Sequence, residues 1–175
     1  MSGLIVSELD ANSAAKALGE LAAVLADCVD GGASVSFMAP FGPGDAAQYF
    51  RGVIDEVASG QAVLLAAHRD GKIVGTAQLG LAMPPNQPHR AEVRKVLVHR
   101  SARRQGIAEQ LMRGIEDAAR RLGRTILVLD TVTGGDAERL YARLGWQRVG
   151  VIPDYALWPD GRFCDTTVFY KRIAP

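Results

Sequence analysis

The sequence predicts a single mixed α/β domain, with a central sheet of about six to seven strands flanked by about four helices. Three observations support this fold class. Short apolar runs alternate with segments of helical periodicity along all 175 residues. A strand, an amphipathic helix and a second apolar strand follow one another across residues 91–129, as in a parallel crossover. No repeat, low-complexity tract or linker interrupts the chain, so we expect residues 1–175 to fold as one domain.

The composition is that of a globular protein, with 48% hydrophobic and 22% charged residues. The formal net charge of +1 provides no global field for nucleic acid or a membrane surface, so neither is an expected partner. No apolar run approaches the roughly 20 residues of a membrane span, and no signal peptide is predicted. Two cysteines far apart in sequence, Cys28 and Cys164, favour reduced thiols and a cytoplasmic location.

The first third of the chain predicts one strand and two helices. Residues 4–8 alternate loosely and are expected to form the first strand. Asn12 or Ser13 is expected to cap the following helix, and Asp45 a second one. Both helices carry an apolar stripe for the core: Leu18, Leu21, Leu25 and Val29 in the first, and Tyr49, Phe50, Val53, Ile54 and Val57 in the second.

The middle of the chain predicts a hairpin, a third strand and a long helix. Residues 61–68 and 72–81 are the predicted hairpin strands, joined by an Asp-Gly turn. The proline-rich segment 83–88 cannot form regular structure, and residues 91–98 are the next strand. Residues 107–122 predict a helix whose apolar stripe is Ile107, Leu111, Met112, Ile115, Ala119 and Leu122.

The last third predicts three more strands and a short helix. Residues 125–129 are continuously apolar, which is typical of a parallel strand covered on both faces. Two glycines precede a short helix from Asp136 to Leu144. Residues 146–152 and 166–173 are the final strands, with a Pro-Asp-Gly turn between them.

A basic loop between the strand 91–98 and the long helix predicts a phosphate site. Its sequence is Arg103-Arg104-Gln105-Gly106-Ile107-Ala108, and free N–H groups at a helix N-terminus bind phosphate. The loop lacks the Gly-Lys-Ser/Thr ending of a nucleotide P-loop and the three spaced glycines of a dinucleotide fold. It fits instead an Arg/Gln-x-x-Gly-x-Gly/Ala loop that cradles the pyrophosphate of coenzyme A. The alternative is a plain exposed strand-to-helix loop.

This loop and the later segment Tyr141-x-x-Leu144-Gly145-Trp146 resemble the GNAT superfamily of acetyl-CoA-dependent N-acetyltransferases. The resemblance covers nearly the whole chain, although Ala108 stands where many members have glycine. Segments 31–39, 90–93 and 159–162 are similar to those of its tabtoxin-resistance members, which acetylate a toxin derived from an amino acid. The resemblance implies acetyl-CoA as cosubstrate and, as acceptor, the amine of a small amino-acid-like molecule such as a toxin or antibiotic.

The resemblance also implies which residues hold acetyl-CoA. Backbone groups of Val96, Leu97 and Val98 would bind the pantetheine amides. Backbone amides at the pyrophosphate would come from Arg104, Gln105, Gly106, Ile107, Ala108 and Glu109. Arg100 and Arg103 are candidates for the remaining phosphate charge, with solvated surface charge as the alternative.

Three residues are candidates for the chemistry. Direct transfer needs a neutral amine, a donor for the developing oxyanion and a proton for the departing thiolate. Tyr141 is the candidate general acid, since it lies at the family's position near the thioester sulfur; alternatively it packs on the sheet. Glu92 and Asp130 are candidates for anchoring or deprotonating a cationic acceptor. The alternative for either is an internal ion pair, for example Glu92 with Arg94 or Lys95.

Further residues could shape the acceptor site, namely Phe37, Asn86, Tyr155 and Trp158. His68, His89 and His99 lack metal-ligand spacing, so no metal is expected. Two rival functions stay open: a protein or peptide N-acetyltransferase, and a catalytically silent acetyl-CoA-binding regulatory domain. The sequence is compatible with a monomer or a homodimer.

Overall fold

The computed structural model describes residues 3–174, in which one seven-stranded sheet has helices on both faces. The strands are β1 (Ile5–Leu9), β2 (Ala62–Arg69), β3 (Lys72–Gly80), β4 (Arg90–Val98), β5 (Ile126–Val132), β6 (Gln147–Leu157) and β7 (Phe163–Arg172). The helices are α1 (Ala11–Lys16), α2 (Leu18–Asp30), α3 (Pro43–Ala58), α4 (Ile107–Arg121) and α5 (Asp136–Arg143). The sheet order is β1-β2-β3-β4-β5-β7-β6, which confirms the predicted fold class.

Two hydrophobic cores form on the two faces of the sheet. Helices α1, α2 and α3 cover one face, where Leu25 and Phe50 pack against Leu64 of β2. Helix α4 covers the other face, where Leu111 and Ile115 are fully buried. Strand β2 is buried on both faces, which explains its continuously apolar sequence.

The first helices begin differently from the sequence prediction. The single helix predicted from Asn12 or Ser13 through Val29 is two helices, α1 and α2, which are divided at Ala17. Asp10, not Asn12 or Ser13, caps α1 and accepts the Ser13 N–H at 2.7 Å. Asp45 is not the cap of α3, because the helix begins earlier, with a proline in its first turn. The Asp45 carboxylate instead accepts the N–H of Gly42, the residue at the cap position, at 2.8 Å.

Strands β4 and β5 separate after three parallel pairs, of which Glu92–Val128 is the last. Beyond that pair β4 continues with β3, and β5 continues with β7. The β3–β4 register also shifts between Thr76 and Gln78, and Lys95 opposite this shift has a positive φ of 52°. This bulge and the strand separation leave one edge of β4 unpaired from residue 93 onward, facing a gap in the sheet.

Strands β5 and β6 are longer than the sequence predicted. The predicted end of β5 at residue 129 was wrong, because antiparallel pairing with β7 continues through Val132–Thr166. Asp130 therefore lies within the strand. Strand β6 continues past Pro153, which falls in a register shift between Ile152 and Ala156. A proline fits there because the bulged residues make no ladder hydrogen bond.

Candidate active site

The gap between β4 and β5 opens into a cleft of about 1070 Å³. Its walls are segment 33–38, residues 93–98 of β4, the loop before α4, the start of α5 and the end of β6. A cleft of this size at the carboxyl ends of two separating strands is where open α/β sheets place ligands.

The N-terminus of α4 presents free backbone donors to this cleft. Gly106 caps the helix with φ 74°, and its carbonyl accepts the first intrahelical hydrogen bond, from Gln110, at 3.1 Å. No side chain of residues 3–174 caps the helix at this end. A Cβ added at Gly106 would meet nothing within 4 Å, so there is room in front of the N–H groups of Ile107, Ala108 and Glu109. Free donors, a positive helix end and open space fit a pyrophosphate.

The arginines before α4 differ in their availability. Arg100 contacts Asp27 at 2.9 Å and Asp30 at 2.7 Å and does not line the cleft, so its guanidinium is already neutralised. Arg103 and Arg104 do line the cleft, and Arg103 donates to the Val98 carbonyl at 3.2 Å. Of the three arginines before α4, these two therefore line the cleft.

The residues predicted to bind pantetheine also line the cleft, namely Val96, Leu97 and Val98. They belong to the part of β4 that no longer pairs with β5. Because β5 no longer pairs there, backbone groups on this edge need other partners. The Val98 carbonyl already accepts from Arg103, so the groups nearer to Val96 are those left for ligand amides. Like Arg100, the predicted cofactor residue Gln105 lies outside the cleft lining; its side chain accepts a hydrogen bond from Arg69.

Tyr141 is buried on the sheet and still reaches the cleft. It is 5% exposed, and its ring centroid lies 6.0 Å from that of Phe169 and 6.1 Å from that of Trp146. Burial, and secondarily the charge of Asp130, raise the pKa of the Tyr141 phenol far above its usual value. The hydroxyl is therefore protonated at neutral pH, as a proton donor must be.

The two candidate carboxylates lie in different places. Asp130 lines the cleft, and its Oδ2 accepts a hydrogen bond from Thr166 Oγ1 at 2.8 Å. Glu92 does not line the cleft; its carboxylate is half exposed and contacts Arg90 Nη1 at 2.7 Å. The structure thus brings Asp130 and Tyr141 together and leaves Glu92 at the last paired position of β4 and β5.

The predicted alternative partners of Glu92 were wrong. Arg94 pairs with Glu56, and the Lys95 ammonium donates to Ser36 Oγ at 2.9 Å. The competing partners explain the error: Arg90 pairs with Glu92 within β4, and Glu56 of α3 pairs with Arg94.

Among the predicted acceptor residues, the cleft is lined by Phe37, Tyr155 and Trp158, whereas Asn86 is exposed elsewhere. The sequence reasoning missed Lys95 as a cleft residue. A signal was present, since two adjacent charges within a strand cannot both point to the solvent face of a regular pleat.

Both cysteines also line the cleft, as reduced thiols. The Cys28 thiol lies 3.5 Å from the Val98 carbonyl, and burial raises its pKa. The Cys164 thiol lies 3.4 Å from Ser34 Oγ. A thiol held protonated by burial is a weak nucleophile, so Cys28 has the character of a packing residue.

Two further features concern residues 3–174 as a whole. These residues contain no group of three or more His, Cys, Asp or Glu side chains arranged to hold a metal ion. None of their helices is long and apolar enough to cross a membrane.

Comparison with known proteins agrees with this geometry. Residues 34–146 match the model of the acetyltransferase (GNAT) family. An N-acetyltransferase from Staphylococcus aureus Mu50 superposes with a TM-score of 0.81 at 18% identity, over 98% of this chain and 99% of that chain. YncA of Salmonella typhimurium, a proposed acetyltransferase whose structure contains its cofactor acetyl-CoA, gives 0.79 at 18% identity, over 98% and 94%.

A third solved structure, a proposed phosphinothricin N-acetyltransferase, gives a TM-score of 0.80 at 17% identity, over 99% of this chain and 100% of that chain. At such identities these structures establish the fold, while the family model covers more than half of the chain. The chain belongs to the acetyltransferase (GNAT) family and is an acetyl-CoA-dependent acetyltransferase.

Proposed function

We propose that this enzyme transfers the acetyl group of acetyl-CoA directly to the amine of a small amino-acid-like acceptor, of the toxin or antibiotic kind. One observation carries the proposal: the N–H groups at the start of α4, the Tyr141 phenol and the Asp130 carboxylate all line one cleft. The acceptor class rests on the resemblance to tabtoxin-resistance members and on the likeness to a proposed phosphinothricin N-acetyltransferase.

The first task of the cleft is to hold the two reactants together. The α4 N-terminus, Arg103 and Arg104 would bind the pyrophosphate, and the unpaired edge of β4 would bind pantetheine. Acetyl-CoA supplies an activated acyl group as a thioester. Fixing that thioester beside the amine converts a bimolecular reaction into one within a complex.

The chemical step then needs a few groups of this chain. The amine nitrogen attacks the thioester carbonyl, the carbon–nitrogen bond forms and the carbon–sulfur bond breaks. A backbone N–H freed by the bulge in β4 would stabilise the developing oxyanion. Tyr141 would donate its proton to the departing sulfur, and Asp130 would anchor the ammonium form of the acceptor or accept its proton.

Asp130→Asn is expected to impair acceptor use more than acetyl-CoA binding. The amide keeps an oxygen for the Thr166 hydrogen bond but removes the negative charge that faces the cleft. If Asp130 anchors the acceptor, KM for the amine rises while kcat changes little; if it is the base, kcat falls.

The matched control is Asp117→Asn, on the exposed outer face of α4, which should leave all kinetic constants unchanged. Glu92→Gln is expected to have a smaller effect than Asp130→Asn, because Glu92 is bridged to Arg90 outside the cleft. Equal kinetic constants for wild type and Asp130→Asn would remove Asp130 from the mechanism.

Direct transfer also predicts that no cysteine carries the acetyl group. The raised pKa of Cys28 keeps it as a thiol, which disfavours attack on the thioester. Intact-mass spectrometry of the enzyme mixed with acetyl-CoA, without acceptor, should show an unmodified chain. An acetylated chain that loses the group on addition of an amine would instead indicate a covalent route.

Two rival functions are separated by one screen. A coenzyme A release assay with pooled amino acids, amino-acid-like toxins and antibiotics, amines and peptides should give turnover with the small amino-acid-like compounds. Turnover with peptides alone would favour a protein or peptide acetyltransferase. Acetyl-CoA binding without any turnover would favour a regulatory domain.

A further inference from the structure

We propose that Lys95 and Ser36 form a binding site for the carboxylate of the acceptor, so that the enzyme selects free amino acids by both of their charges. This inference rests on the proposed function, because it names the acceptor class of the same cleft. The acceptor amine would lie toward Asp130, and its carboxylate toward Lys95.

The first observation is that Lys95 carries a charge without an ion-pair partner. Its ammonium lies in the wall of the cleft, and its hydrogen bond is to Ser36 Oγ at 2.9 Å. Across residues 3–174, no carboxylate oxygen comes within 4.0 Å of Lys95 Nζ. An ammonium has three donors, so Lys95 has donors left for an anionic ligand.

The second observation is that the ammonium is held in place by aromatic rings. Lys95 Nζ lies 5.8 Å from the ring centroid of Phe37 and 5.9 Å from that of Tyr49. Tyr49 is fixed in turn, since its hydroxyl donates to Gln78 Oε1 at 3.1 Å and its ring packs edge-on against Phe50. These contacts position the cation before any ligand binds, which lowers the entropic cost of binding.

The electrostatics of the cleft agree with an anion at this place. Burial, and secondarily the charge of Arg94, lower the pKa of the Lys95 ammonium, whereas the Asp130 carboxylate acts in the opposite direction. A carboxylate bound at Lys95 would offset the cost of keeping that ammonium charged in the cleft. Lys95 and Asp130 thus provide a cation and an anion in one cleft without forming an ion pair with each other.

The positive charge of Lys95 and the negative charge of Asp130 would favour free amino acids over acceptors that carry only positive charge. A free amino acid offers one ammonium and one carboxylate on the same carbon, and each would meet an opposite charge. A polyamine or the side chain of a protein lysine brings only positive charge, which Lys95 would repel. The structure therefore favours an acceptor with a free carboxylate near its amine.

The test compares each proteinogenic L-amino acid with its carboxamide in the coenzyme A release assay. Wild-type enzyme should use the acid and discriminate against the carboxamide. Lys95→Met should raise KM for the acid by roughly 10- to 100-fold, the usual loss for a hydrogen bond to a charged group. KM for acetyl-CoA and kcat should change little, and discrimination against the carboxamide should largely disappear.

Two variants complete the design. Lys95→Arg keeps the cation and should retain most of the affinity for the acid, whereas Lys72→Met, an exposed lysine outside the cleft, should behave as wild type. Equal use of acid and carboxamide by the wild type would overturn the proposal. A fall in kcat shared by Lys95→Arg and Lys95→Met, with KM unchanged, would also overturn it, because it would indicate a proton-transfer role.

A binding measurement separates this inference from the proposed function. Calorimetric titration of the coenzyme A complex with the same acids and carboxamides requires no turnover. Acids that bind through Lys95 but are not acetylated would contradict the proposed function and support the carboxylate site. Binding of carboxamides as tightly as acids would overturn the carboxylate site, even in an active enzyme.

Discussion

Gly106→Glu is expected to abolish acetyl-CoA binding, with affinity reduced by roughly 100-fold or more, while the chain remains folded. The new side chain would enter the open space in front of the α4 N-terminus and place a negative charge where the pyrophosphate binds. Like charges brought together at a binding site cost several kcal/mol. Calorimetry with acetyl-CoA measures the loss directly.

The matched control is Gly123→Glu, just beyond the other end of α4. Gly123 has φ 69°, close to the 74° of Gly106, and a Cβ there also meets nothing within 4 Å. Both substitutions carry a backbone strain of about 1–2 kcal/mol, so only the position relative to the cleft differs. Unchanged acetyl-CoA affinity in Gly106→Glu would contradict the pyrophosphate assignment.

Tyr141→Phe is expected to lower kcat by roughly 10- to 1,000-fold, with acetyl-CoA affinity nearly retained. The ring still packs on Phe169 and Trp146, so the fold keeps its contacts, while the proton donor is lost. The control is Tyr170→Phe on β7, outside the cleft, which should turn over normally. Wild-type kcat in Tyr141→Phe would leave this tyrosine with a purely packing role.

The raised pKa of Tyr141 has its own consequence for the pH profile. An ordinary tyrosine loses its proton near pH 10, whereas burial keeps this one protonated to higher pH. Activity should therefore show no loss from tyrosine ionisation between about pH 8 and 10. An alkaline limb in that range, present in wild type and absent in Tyr141→Phe, would show that the phenol is not buried during turnover.

The parts of the site that could be predicted from sequence are those whose residues are neighbours along the chain. The loop before α4 and the helix itself were predictable because the basic residues, Gly106 and the apolar stripe are contiguous. The helix predicted over 107–122 is observed as Ile107–Arg121. Strand β2 could be predicted equally well, since a continuously apolar run predicts a strand that is buried on both faces.

The parts that could not be predicted depend on pairing between distant segments. Nothing near Glu92 in sequence indicates that β4 and β5 separate after it. Nor does the sequence around Arg94 indicate that it pairs with Glu56 of α3, 38 residues earlier in the chain. The bulge at Lys95 arises from the register between β3 and β4, which sequence alternation does not specify. The predicted strand stopped at residue 129, just before Asp130. Its extension could not be predicted, because Val168 of β7, which pairs with Asp130, lies 38 residues further along the chain.

The central claim is that this cleft acetylates the amine of a small amino-acid-like acceptor, and one measurement tests it most directly. The enzyme is incubated with acetyl-CoA and a pool of L-amino acids and amino-acid-like toxins and antibiotics, phosphinothricin among them. Released coenzyme A and acetylated products are quantified together by liquid chromatography and mass spectrometry. The account predicts an N-acetylated member of this pool in amounts equal to the released coenzyme A, and neither product with Gly106→Glu. Tight binding of acetyl-CoA by the wild type with no N-acetylated product from this pool would contradict it.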